Sequence, residues 1–183
     1  MYLPNKTIRG FTLVELLVVV GIITIITGAT IPAFSVYLKN QNLTQAKSQL
    51  KSDLRSVQNR ALTGVHFDQK VNGNDVKFWG FRISKSSLTG YSYFISDVDT
   101  NCTAVPAQQA GLSLPGTLSL PQGVTFVLPP NTDLCLFFSM SDGAITSCKD
   151  NCGTSSTASG SISFTDGTKT SSVSYNNAGR ISN

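Results

Sequence analysis

The chain of 183 residues is short of charge: Lys and Arg number 14, Asp and Glu 10, and together they make up 13% of it. It has one histidine and one tryptophan, and no cysteine before position 102. Each shortage excludes something. His66 has no Ser or Cys nucleophile and Asp arranged around it, and no G-x-S-x-G, Walker or zinc-protease pattern occurs, so there is no catalytic apparatus to read. His66 is taken as an ordinary core or surface side chain. Like charges form no block. Lys39, Lys47, Lys51, Arg55, Arg60, Lys70, Lys77, Arg82 and Lys85 are scattered, and a net charge of +4 gives a weak positive face rather than a nucleic-acid arm. Cys102, Cys135, Cys148 and Cys152 contain no C-x2-C pair, which disfavours a zinc ribbon.

What the sequence does have is a long apolar run near its start. From Phe11 to Leu38 the only ionisable side chains are Glu15 and Tyr37. Leu13 to Ile31 is nineteen residues, about 28 Å of helix at ~1.5 Å per residue, the thickness of a bilayer core. Lys6 and Arg9 precede it without an acid, which places the N-terminus in the cytoplasm and the rest outside. A cleaved secretory signal competes, with Thr27-Gly28-Ala29 as its small-residue site, but the apolar run is longer than such signals need. Glu15 is the anomaly. A carboxylate at the membrane centre costs about 2.5–3.5 kcal/mol, and less near an end. Either it snorkels, or it meets a cation from another chain or a new amine made by cutting this one nearby.

Pro32 predicts a kink or a local break in the helix. Beyond it Leu43, Ala46, Leu50, Leu54, Val57 and Ala61 step by three and four, one face of an amphipathic helix that Gly64 would stop. Strand patterns follow at Val76–Ser84, Gly90–Val98, Gly123–Pro129, Asp133–Met140, Gly160–Gly167 and Thr170–Ser182. Asn72-Gly73, Asp142-Gly143 and Asp166-Gly167 are hairpin signals. Residues 100–123 and 149–160 read as irregular. The expected class is α+β: a long N-terminal helix, transmembrane in its first half, followed by an antiparallel β-sandwich-like domain. Four cysteines behind a membrane segment favour disulfides over free buried thiols. Of three pairings, 102–135 with 148–152 is favoured, because 148 and 152 close a small loop. No cofactor is expected. Asp97 and Asp99 alternate at a strand end and make a thin calcium site, read instead as solvated loop acids.

The segment "RGFTLVELLVVVGII", with Arg9, Gly10, Phe11, Thr12, Leu13, Glu15 and Leu16, resembles the class III signal of type IV pilins and type II secretion pseudopilins. The C-terminal half, with "WGFRI", "PQGVTF", "FSMSDGAI" and "SVSYNNAGRIS", is similar to the H-type minor pseudopilin and transformation-pilus minor pilins. The four cysteines and the Thr/Ser-rich insert around Cys152 depart from many relatives. The resemblance implies cleavage after Gly10 by a prepilin peptidase, N-methylation of Phe11, and pairing of Glu15 with a neighbour's N-terminal amine in a filament. It also implies that Pro32 loosens the helix. The implied organisation is a leader at 1–10, a transmembrane and filament-core helix at 11–35, its amphipathic continuation at 36–64 and an extracytoplasmic β domain at 65–183. The implied partners are other pilins and an inner-membrane assembly platform, and the implied place is the bacterial inner membrane, crossed once. Calcium is bound by major pseudopilins of this superfamily. In DNA-uptake relatives a Gly-Arg-x-Arg element contributes to DNA binding. Here Gly179-Arg180-Ile181-Ser182 keeps one arginine, so Arg180 reads first as part of a turn and edge strand.

Overall fold

A computed structural model describes residues 10–71, 73–100, 102, 117–150 and 159–182, except for the side chains of 29–33. These residues form one α-helix, α1 (Leu13–Leu62), and eleven strands. The strands are β1 (Lys70–Val71), β2 (Asn74–Asp75), β3 (Phe78–Ser84), β4 (Ser87–Ser96), β5 (Leu118–Ser119) and β6 (Thr125–Val127). They continue with β7 (Leu134–Ser139), β8 (Ile145–Lys149), β9 (Ser159–Thr165), β10 (Thr170–Asn176) and β11 (Ile181–Ser182). Every pairing is antiparallel and the class is α+β. Two compact units divide the chain between Asn40 and Gln41, and α1 contributes to both.

In the first unit the described apolar side chains find no cover: Leu13, Leu16, Leu17, Ile22 and Ile25 are each more than half exposed. The helix is continuous through Pro32, so of the expected kink or local break the break is absent. A proline removes one i→i−4 bond at a cost of about 3 kcal/mol, which the long helical runs on either side sustain. Among the described residues no helix is long and apolar enough to cross a membrane. Side chains are described here from Leu13 to Gly28, which at ~1.5 Å per residue is about 24 Å of helix.

In the second unit the helical face read from the sequence is the buried one: Leu43, Ala46, Leu50, Leu54, Val57 and Ala61. Each large member contributes about 1.5–3 kcal/mol by leaving water. The helix ends as its sequence signals. Gly64 has φ +65°, its N–H donates to Ala61 O at 3.1 Å, and Val65 N–H donates to Arg60 O at 3.2 Å, the paired bonds of a Schellman cap. Two sheets share the core with this face: β5-β4-β3-β7-β8 and β11-β10-β9-β6. They meet where β4 approaches β6, and where β8 approaches β9 and β10. β1 and β2 form a separate hairpin in which Val71 pairs with Asn74. Asp142-Gly143 lies in the β7–β8 turn and Asp166-Gly167 in the β9–β10 turn. Asp166 Oδ1 accepts from the Thr168 and Lys169 N–H groups, a self-bonded turn that sets the register.

The expected single strand at Thr170–Ser182 is two, β10 and β11. Gly179 at φ +79° turns the chain between them, and Gly179 N–H donates to Asn176 O at 3.1 Å. β5 falls inside a stretch read as irregular, and its two residues are too few to show a period.

The five-stranded sheet is buried on both faces. Trp79, Phe81 and Ile83 point to the helix side, while Phe94 and Phe137 occupy the other with ring centroids 5.4 Å apart. Gly80 pairs with Phe94 across β3 and β4, and a Cβ on Gly80 would overlap the Phe94 ring. Gly80→Ala is therefore expected to cost about 1–3 kcal/mol by overpacking. The readout is a lower urea midpoint at unchanged slope, followed by the single tryptophan, Trp79. An unshifted midpoint would show that Phe94 moves aside freely.

Candidate functional site

Three places carry the residues singled out above. The first is the start of α1. Gly10 and Phe11 are exposed, and nothing stands within 4 Å of a Cβ placed on Gly10. The bond between them is thus unobstructed by the described residues. Thr12 caps the helix: Glu15 N–H donates to Thr12 Oγ1 at 3.3 Å, and Leu16 N–H to Thr12 O at 3.2 Å. Thr12-x-x-Glu15 has the spacing of a capping box, a signal present in the sequence and not used in reading it. Glu15 is exposed in the first turn, where the helix dipole favours a negative charge. Its position thus has a local reason, beside the intermolecular one that the resemblance implies.

The second place is the C-terminal turn. Gln58 Nε2 donates to Gly179 O at 2.9 Å and to Gly143 O at 3.2 Å, tying two turns to the helix. A Cβ on Gly179 would collide with the Gln58 amide, so this glycine serves both turn and packing. Arg180 is exposed, and its N–H donates to Asn176 Oδ1 at 2.8 Å. The arrangement is a structural turn that carries one outward arginine.

The third is the cysteine cluster on the outer face of the five-stranded sheet. Cys102 is bonded to Cys135, with Cα atoms 5.6 Å apart, and Cys102 N–H donates to Asp150 O at 2.8 Å. Cys135 lies directly opposite Cys148 in the β7–β8 register, and Cys148 is itself disulfide-bonded. The 148–152 pairing involves Cys152, which lies outside the described residues. Phe94, Phe137 and Phe78 pack around these sulfurs. Such a cluster suits an oxidising compartment.

The remaining candidates do not converge. Asp97 Oδ2 accepts from Asn74 Nδ2 at 2.7 Å, whereas Asp99 Oδ2 accepts from Thr146 Oγ1 at 3.3 Å. No group of three or more His, Cys, Asp or Glu able to hold a metal occurs among the described residues. His66 sits at φ +67° with its ring 5.6 Å from that of Trp79. The Arg60 guanidinium lies 5.5 Å from the Trp79 ring, and Trp79 Nε1 donates to Val65 O at 2.8 Å. The histidine thus flanks a packed tryptophan.

Two polar pairs escaped the sequence reading because their members lie far apart in the chain. Tyr91 O–H donates to Asp53 and accepts from Gln49 Nε2 at 3.0 Å, bracing α1 against β4. Burial, with Asp53 beside it, pushes the Tyr91 phenol above its usual range. Arg82 and Asp133 form an ion pair at 2.7 Å with the Asp133 side chain 3% exposed.

Residues 5–31 match the family model described as the prokaryotic N-terminal methylation motif. No curated protein and no solved structure matches the chain.

Proposed function

We propose that this chain, whose residues 5–31 match the N-terminal methylation motif of type IV pilin-like and pseudopilin subunits, is a minor subunit of such a filament. The leader match carries the reading. It falls on the one segment whose described apolar side chains are exposed all round and which therefore needs neighbours or lipid to cover them. A prepilin peptidase cuts after Gly10 and Phe11 becomes an N-methylated terminus. The helix from Phe11 waits in the inner membrane as a single span, with the β domain outside, and then enters the filament among other pilins at an assembly platform. Glu15 pairs there with the amine of a neighbouring subunit. The family that carries this leader is one of structural subunits rather than enzymes. The filament is a type II secretion pseudopilus or a type IV pilus. One exposed arginine, Arg180, supplies too little counterion release for DNA capture to be the first reading.

Intact-mass and N-terminal sequencing of membrane-extracted protein test the processing step. The expected mature chain starts at N-methylated Phe11, and Gly10→Val accumulates uncut precursor. A mature chain starting near Ala29 would instead identify an ordinary secretory signal.

A further inference from the structure

The outer face of α1 in the second unit carries a row of cations. Lys47, Lys51 and Arg55 step by four residues, which at ~1.5 Å per residue sets them about 6 Å apart along the helix. Arg55 is exposed and the two lysines are half-buried. The neighbouring row is Ser48, Ser52 and Ser56, with Asn59 beyond. A groove of about 650 Å³ lies along this face, and no carboxylate lines it among the described residues. Between Gln41 and Leu62 the only acid is Asp53, which is turned to the sheet flank and held by Tyr91.

We propose that this face docks an acidic helix of a different subunit, one that presents carboxylates at four-residue steps. The inference rests on the filament reading above. Charge complementarity names the chemistry of the partner, and the chain's own acids exclude a second copy. Its ten acidic residues include no two that lie three or four positions apart. The exposed carboxylates of the second unit, Asp68, Asp75 and Asp142, stand in separate turns or hairpins, and Asp75 meets Lys70 at 3.9 Å. A copy of this chain therefore has no helical acidic row to offer, and packing α1 on α1 would oppose like charges. The docking is heterotypic, and the subunit joins unlike neighbours. A nucleic-acid backbone has the same sign of charge; the face carries no aromatic side chain on which the bases of a single strand would stack, and a duplex, held through its phosphates, is an outcome of the test.

The test uses the full-length mature chain in detergent and three probes. These are a helical peptide with Glu at four-residue steps, an isomer with the same Glu residues scattered around the helix, and a DNA duplex. The row peptide is expected to bind about tenfold more tightly than its isomer, with the preference fading as salt rises. K47E/K51E/R55E should lose that preference and gain one for a peptide carrying a Lys row, while K77E/K85E/K169E keeps the original preference. K47R/K51R/R55K, which holds the charge, should bind as wild type. Equal binding of the two Glu isomers, row-dependent binding of the duplex alone, or self-association through this face overturns the proposal. In cells, K47E/K51E/R55E should be processed after Gly10 and yet fail to enter filaments. Normal entry overturns the docking surface alone, whereas normal entry of Glu15→Ala overturns the filament reading beneath it.

Discussion

Glu15→Ala is expected to be cut after Gly10 as well as the wild-type chain is, and to be missing from sheared filaments. The two steps separate because they use different atoms. In the proposed scheme cleavage acts at the exposed Gly10–Phe11 bond, ahead of the carboxylate. Assembly would then bury the new Phe11 amine of one subunit against another, and an amine left unpaired in low dielectric costs about 3–5 kcal/mol. That corresponds to roughly a hundredfold or greater loss of incorporation. Alanine also removes an acid from the first turn of a capped helix, so the charge and the cap have to be distinguished. Glu15→Gln does this: glutamine serves at the same capping position but carries no charge. If the intermolecular pair matters, Gln fails as Ala does. If only the cap and dipole matter, Gln assembles. Immunoblots of the filament and membrane fractions, with mature mass measured in each, read both outcomes.

The sequence was legible where a period is long enough to count. Six residues at steps of three and four, from Leu43 to Ala61, are all buried in the face they define. The run "DLCLFF" also reads correctly as a strand, and its lack of alternation has a cause: both faces of β7 are buried, Leu134, Leu136 and Phe138 in the core shared with the helix and Cys135 and Phe137 in the cysteine cluster on the other side. β1, β2, β5 and β11 are two residues each and carry no pattern. β8 is polar in composition yet buries Ser147 and Cys148, so hydropathy alone passes over it. At the N-terminus the motif was legible because it is local sequence, and residues 5–31 match the methylation motif. Elsewhere the informative contacts are between distant positions. Gln58 with Gly179 spans 121 residues and Arg82 with Asp133 spans 51, and no local spacing announces either.

Asp133→Ala is expected to cost about 3–5 kcal/mol. Asp133 stands at the entry to β7 and gathers groups from the β3–β4 turn: Arg82 Nη2 donates to it at 2.7 Å, Lys85 N–H at 2.6 Å and Ser84 Oγ at 3.4 Å. Its own N–H donates to Asp150 Oδ1 at 2.8 Å, so the residue links the hairpin turn to the strand that bears Cys135. Removing the carboxylate takes away the anion 2.7 Å from a guanidinium that is only 20% exposed. Burial alone would raise the Asp133 pKa. The Lys85 N–H, the Arg82 hydrogen bond and the two positive charges outweigh it, and the carboxyl is held below its usual value. A depressed folded-state pKa gives stability that is fully present above the unfolded value of about 3.9 and is lost as pH falls through the folded value. The acid limb of stability should therefore be flatter in Asp133→Asn than in wild type, at lower stability near neutral pH. Urea unfolding of the Gln41–Asn183 unit, followed through Trp79, measures both. The double variant Arg82→Met/Asp133→Leu decides the cause, since replacing both partners by apolar groups of similar size is often close to neutral. Recovery of most of the loss in the double variant identifies the broken ion pair as the penalty. A loss as large as that of Asp133→Ala would assign it instead to the turn bonds at Ser84 and Lys85.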